Sequence, residues 1–156
     1  MIEYKQGDLL ESGCDVICHQ CNCRGSMASG VAKSIRDKWP ESYETLRHTY
    51  LNGKACLGRC DFVRIMDGDK VAVDVVNMYS QYDYYPRTIC HTNYEAFQAC
   101  LNKIKEHYTL SKGIIRIGFP DHIGCGLAGG DWEIVKKMIE NTFEGLEWHI
   151  EIWKLS

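Results

Sequence analysis

Three consecutive stretches decide the fold: Cys14-Asp15-Val16-Ile17-Cys18-His19, then Gly25-Ser26-Met27-Ala28-Ser29-Gly30, then Val31 to Trp39. The first is a short apolar run with β-branched residues, which suits a buried strand. The second contains only small residues and one methionine. The third carries Val31, Ala32, Ile35 and Trp39 at helical spacing and is stopped by Pro40. Strand, small-residue loop, helix is the grammar of a βα junction. The same grammar returns late in the chain. Ile114 to Phe119 reads as a buried strand before Pro120, Gly124-Cys125-Gly126-Leu127-Ala128-Gly129-Gly130 as a second small-residue loop, and Asp131 as the N-cap of a helix over Trp132 to Glu144.

Working outward, Ile2 to Lys5 reads as a first strand. Ser42 to Leu51 reads as a second helix, closed by Asn52-Gly53. Asp61 to Met66 and Val71 to Met78 flank the turn Asp67-Gly68-Asp69 and read as a β-hairpin. Tyr79 to Arg87, with four tyrosines and Pro86, reads as a long loop. Thr92 to Tyr108 has apolar residues at Tyr94, Phe97, Cys100, Leu101, Ile104 and Tyr108, a helical period. Trp148 to Leu155 alternates as a last strand. About six strands and four helices alternate, which predicts an α/β fold with a mixed sheet covered on both faces. The 156 residues fit one domain, with no repeat and no linker.

Composition narrows the function classes. Eighteen basic against 21 acidic residues give a net charge of −3, which argues against general nucleic-acid binding. No segment approaches the ~20 apolar residues of a membrane span. Nine cysteines are an odd number, the opening Met-Ile-Glu-Tyr-Lys-Gln-Gly-Asp gives no apolar leader, and Cys18 and Cys100 sit inside apolar runs. Free thiols in a reducing, cytoplasmic compartment are therefore expected. Cys18-x-x-Cys21 with Cys56 and Cys60 would have to converge to hold zinc, and their spacing does not suggest it. No metal or cofactor is expected.

The two loops carry the chemistry. Small residues let backbone N–H groups approach a ligand, and the helix that follows adds a partial positive charge. Two such loops side by side could hold a diphosphate. Neither is a Walker A loop, since no Gly-Lys-Ser/Thr follows.

Gly7-Asp8-Leu9-Leu10, Asp15 to Cys23 and Gly25 to Ala32 together resemble the opening of a macrodomain. Ile123 to Trp132 is similar to the second phosphate loop of that family. The His-x-Cys-Asn-Cys-x-Gly-Ser stretch resembles the ADP-ribose-1″-phosphate phosphatases most closely, and Ile-Gly-Cys-Gly-Leu the terminal ADP-ribose protein glycohydrolases. The resemblance spans the whole chain, 1–156, and implies a three-layer α/β/α macrodomain with ADP-ribose, or a relative such as its 1″-phosphate, as ligand. An ADP-ribosylated protein is a further partner it implies. Asp8 matches the acid that accepts from the adenine amino group, with Leu9 beside it, and Leu155 matches an apolar contact on the adenine side. Gly30, Val31 and Ala32 match the first loop's approach to the phosphates. His122, Ile123, Gly124, Cys125, Gly126, Leu127 and Ala128 match the second loop. Asn22 matches the residue beside the distal ribose.

The pattern also breaks. The glycohydrolases use a lysine that attacks the distal ribose and an aspartate that resolves the intermediate. The lysine region here reads Val76-Asn77-Met78-Tyr79-Ser80-Gln81, and Ala128 stands at the aspartate position. No amine is left for a covalent route. Two residues are candidates for acid–base work beside Asn22. His19 could protonate a leaving oxygen, or be a hydrogen-bonded core histidine. Asp131 could orient a water, or simply cap its helix. The function expected is hydrolysis of a group at the distal ribose, of phosphatase or O-acyl/ADP-ribosyl hydrolase type. The alternative is a non-catalytic module that reads ADP-ribose-derived ligands. The tyrosine-rich loop could close over the distal ribose.

Overall fold

The computed structural model describes residues 2–111 and 113–155. Six strands form one sheet: β1 (Ile2–Gln6), β2 (Val16–Asn22), β3 (Cys60–Asp67), β4 (Lys70–Gln81), β5 (Arg116–Pro120) and β6 (His149–Lys154). Their spatial order is β1-β6-β5-β2-β4-β3, parallel throughout except for the β3–β4 hairpin. Four helices cover it: α1 (Gly30–Lys38), α2 (Pro40–Leu51), α3 (Tyr94–Thr109) and α4 (Trp132–Phe143). A 3-10 turn, Leu9–Glu11, follows β1.

The layers follow from side-chain alternation. On β2 and β4, Val16, Cys18, Val76 and Met78 pack with Phe97, Leu101 and Ile104 of α3 and Val135 and Ile139 of α4. Ile17, Cys21, Val75 and Tyr79 face the other way, towards Ile35 of α1 and Leu46 of α2. Val73 through Ser80 are all buried, as expected of a central strand covered on both faces. The result is the three-layer α/β/α arrangement. Cys18 and Cys21 fall in opposite cores, so their CxxC spacing does not converge on one point. All nine cysteines are free. No helix of the described residues is long and apolar enough to cross a membrane.

Most elements lie within two or three residues of their expected bounds, and two differ in kind. Pro40 does more than stop α1. Trp39 ends one helix and precedes the next, and Pro40 occupies the first turn of α2, where its missing N–H removes no helical bond. Strand β4 runs three residues past Met78 into the tyrosine-rich stretch. Because β1, β6, β5, β2 and β4 are parallel, their carboxyl ends share one edge of the sheet. That edge is where loops feed helices and where ligands bind in open α/β sheets.

Candidate active site

A cleft of about 460 Å³ opens at this edge. The β2–α1 loop supplies Asn22, Ser26 and Ala28 through Ala32. The β5–α4 loop supplies His122, Ile123, Gly124, Gly126, Leu127 and Ala128. Gln81 ends β4, and Tyr84 and Arg87 come from the loop after it.

The first loop is shaped by Asn22. Its Oδ1 accepts from the backbone N–H of Arg24 (3.0 Å) and Ser26 (3.3 Å), and its Nδ2 donates to the carbonyl of Ser26 (3.0 Å). Gly25 has φ of +75° and lies against α2, where a Cβ would come within 2.8 Å of the Tyr50 ring. Helix α1 then starts without a side-chain cap: Ser29 makes no capping bond. By contrast, α3 is capped by Asn93 and α4 by Asp131. Among the described residues, nothing accepts from the backbone N–H of Gly30, Val31 or Ala32. The same holds for Gly126, Leu127 and Ala128 in the second loop. Six N–H groups on two facing loops are thus left for a ligand. Orphan donors at a helix start suit an anion.

The second loop is folded tightly on itself. The Gly130 N–H donates to the Gly124 carbonyl (2.8 Å), and a Cβ on Gly130 would lie 2.6 Å from that oxygen. Thr92 Oγ1 donates to the same carbonyl (2.5 Å). His122 has φ of +58°, the only positive value at a non-glycine position among the described residues. Its Nδ1 lies 2.7 Å from the Asp121 carboxylate and its ring stacks on Trp132 at 5.0 Å. An imidazole oriented through Nδ1 leaves Nε2 open beside the cleft, and backbone strain of this kind collects at functional sites.

His19 lies at the cleft floor and is buried. Asn77 Nδ2 donates to Ser42 O and Asp61 Oδ2, so its Oδ1 faces His19 and accepts from Nε2–H at 2.7 Å. Burial pushes the His19 pKa down to about 4, against smaller upward effects from Asn77 and Asp61. Its imidazole is therefore neutral near pH 7, with its N–H committed to Asn77. That is the arrangement of a hydrogen-bonded core histidine, its one N–H held by Asn77. Asp61 anchors this network, accepting from Tyr79 (2.5 Å), Thr49 (3.2 Å) and Arg59 (3.2 Å).

Asp131 caps α4, accepting from the Glu133 N–H at 2.9 Å, and is not among the residues that line the cleft. The short side chain is spent on the helix end. Asp8 is likewise a cap, accepting from the Leu10 N–H (2.9 Å), while Leu9 is buried beneath it. Leu155 is exposed. Asp8 and Leu155 follow β1 and β6, whose ends pair, so they sit beyond the β5 side of the cleft. Cys125 lies in the loop without lining the cleft, its thiol donates to Ile123 O, and burial raises its pKa to about 11. A protonated thiol is a packing group and a poor nucleophile.

Gln20 had no reading in the sequence, yet it ties the site together. Its Nε2 donates to Gln81 Oε1 (2.9 Å) and Thr92 Oγ1 (3.0 Å), and its Oε1 accepts from Ser80 (2.7 Å). One amide joins β2, β4 and the segment before α3, whose Thr92 in turn bonds to the Gly124 carbonyl of the second loop. Among the tyrosines, Tyr84 lines the cleft, Tyr82 and Tyr85 are exposed, and Tyr79 belongs to the core.

No model of a known protein family matches the chain. It is 26% identical over 160 residues to the ADP-ribose 1″-phosphate phosphatase of Candida albicans, covering 97% of this chain and 99% of that protein. It is 28% identical over 159 residues to human ADP-ribose glycohydrolase OARD1, covering 99% of this chain and 91% of that one. The macrodomain of Mycobacterium tuberculosis DarG superposes with a TM-score of 0.82 at 20% identity, over 98% of this chain and 97% of that chain. The chain therefore has the macrodomain fold, with the cleft at the carboxyl edge of its sheet, and is similar in sequence to ADP-ribose 1″-phosphate phosphatase and ADP-ribose glycohydrolase relatives over nearly their whole length.

Proposed function

We propose that the cleft binds ADP-ribose derivatives and that the protein hydrolyses a group attached to the distal ribose. The observation that carries the reading is the pair of loops at the cleft whose six backbone N–H groups have no partner among the described residues. They suit a diphosphate, with one phosphate on the α1 start and one on the Gly126–Ala128 turn. Asp8 and Leu155 on the β1–β6 side then serve the adenine, and Asn22, with one amide hydrogen still unassigned, serves the distal ribose. His122 and Ile123 bound the cleft between these ends.

Among the described residues, the lining contains no lysine. The step the site suits is direct attack by water. The water oxygen bonds to the phosphorus or acyl carbon of the substituent, the bond to the ribose oxygen breaks, and that oxygen leaves as a hydroxyl with a proton from the water. In this proposal Asn22 orients the ribose, His19 fixes the floor through Asn77, and Asp131 sets the start of α4. An ADP-ribosylated protein fits as substrate, because the cleft is open on its outer side, and a cytoplasmic setting is consistent with nine free thiols.

A second reading is a non-catalytic binder, favoured by Ala128 standing where the glycohydrolases carry their aspartate. Calorimetry with ADP-ribose, followed by turnover assays on ADP-ribose 1″-phosphate and an O-acyl ADP-ribose, separates the readings. Binding with turnover of either compound supports hydrolysis. Binding without turnover leaves the binder. No binding at millimolar ligand overturns both.

A further inference from the structure

Among the described residues, Arg87 is the only lysine or arginine lining the cleft, and none of their ion pairs involves it. Exposed guanidinium groups without a partner are common. This one differs in being held at a ligand cleft by an anchored loop. The His91 N–H donates to Ala128 O (2.7 Å), and His91 Nε2 lies 2.5 Å from Pro86 O, one residue before Arg87. On the other side, Gln81 Nε2 donates to Asp83 O (2.8 Å).

Sheet order gives Arg87 its place along the ligand. Its loop follows β4, and β2 and β5 separate β4 from the β6 and β1 ends that carry Leu155 and Asp8. If adenine lies at the β1–β6 end, Arg87 stands at the other end, beyond the diphosphate. The unpartnered amides of the two loops already answer the diphosphate. A further cation at the far end fits a further negative charge.

We propose that Arg87 is a specificity-determining residue that selects ligands bearing a phosphomonoester on the distal ribose over ADP-ribose itself. This rests on the ADP-ribose reading of the cleft. A guanidinium forks onto phosphate oxygens through paired N–H donors, and it loses that partner when the ribose ends in a free hydroxyl.

The test is calorimetry at low salt with ADP-ribose and ADP-ribose 1″-phosphate on wild type, Arg87→Gln and Arg87→Lys. To prevent turnover, binding of the phosphate ester is read from the initial heats at low temperature. Wild type is expected to bind the phosphate ester at least ten-fold more tightly. Arg87→Gln should weaken that ligand ten-fold or more and ADP-ribose by less than three-fold, while Arg87→Lys retains part of the preference. Equal wild-type affinity for the two ligands overturns the proposal and leaves the ADP-ribose cleft standing. So does an equal loss of both in Arg87→Gln. Failure of wild type to bind either ligand overturns the cleft reading and this proposal with it.

Discussion

A side chain placed at Gly126 would separate ligand binding from folding. Gly126 lines the cleft, its φ lies outside the left-handed region, and a Cβ there meets no atom within 4 Å. The protein has room for a side chain, and a bound diphosphate would not. Gly126→Ala should stabilise the fold by about 0.4–1 kcal/mol, because the unfolded chain loses conformational freedom while the native backbone is unstrained. At ~2–4 °C per kcal/mol for a chain of this size, Tm should rise by about 1–4 °C. Gly126→Glu adds a carboxylate next to the phosphates. Two unit charges ~4 Å apart at an effective dielectric near 20 repel by about 4 kcal/mol. A flexible glutamate relieves about half of that by turning to solvent, leaving about 2 kcal/mol, or roughly thirty-fold in Kd. Thermal melts and ADP-ribose calorimetry on both variants read the two effects separately. A folded Gly126→Glu protein that binds ADP-ribose within three-fold of wild type would refute the diphosphate position. A Gly126→Ala protein destabilised by more than 1 kcal/mol would refute the open space.

Other perturbations test the floor and the loops. The His19 pKa is lowered in the fold, so between about 6.5 and about 4 the unfolded chain binds more protons than the native one. Its contribution is complete above pH 6.5 and is lost as pH falls through that window, on the order of 3 kcal/mol in all. Urea melts from pH 7 to 4 should therefore fall less steeply in His19→Gln, and an imidazole that titrates by NMR at 6.5 or above contradicts the assignment. Asp61→Ala strands Tyr79, Thr49 and Asn77 donors in the interior and should cost about 3–5 kcal/mol by urea denaturation; a loss below 1 kcal/mol would show the network to be dispensable. Asn22→Ala removes three loop bonds, so ADP-ribose affinity should drop at least ten-fold, and an unchanged Kd would dissociate loop order from binding.

The fold was legible because its signals are local. The two cores follow the alternation of β2 and β4, and the helices carry apolar stripes that need no long-range information. The errors have physical causes. Tyr79 looked like the start of a loop because it opens a run of polar and aromatic residues. Its ring is fully buried, and its hydroxyl is satisfied by Asp61, a residue 18 positions away. No local pattern announces such a partner. Asp8 and Asp131 are open to more than one role, and in both the carboxylate accepts from a backbone N–H two residues on. That bond engages one oxygen, Oδ1, of each carboxylate.

The site divides along the same line. The diphosphate cradle proposed for it is made of backbone N–H groups, which every non-proline residue has. What the sequence reveals is permission, in Gly30, Gly126 and Ala128, for a backbone to come close, and that much was readable. Which donors stay unpaired depends on which caps form, and Ser29 has a capping side chain that makes no capping bond. Side-chain roles depended instead on strand parity. His19 and Gln20 are neighbours on β2, but one faces Asn77 in the α1–α2 layer and the other reaches Ser80 and Thr92 on the opposite face. A histidine attracts attention as chemistry and a glutamine does not. The structure gives the glutamine the junction of β2, β4 and the segment before α3, and gives the histidine a buried, neutral place at the cleft floor. A functional reading that starts from residue type will miss such an inversion whenever the polar groups at a strand's end alternate across a sheet covered on both faces.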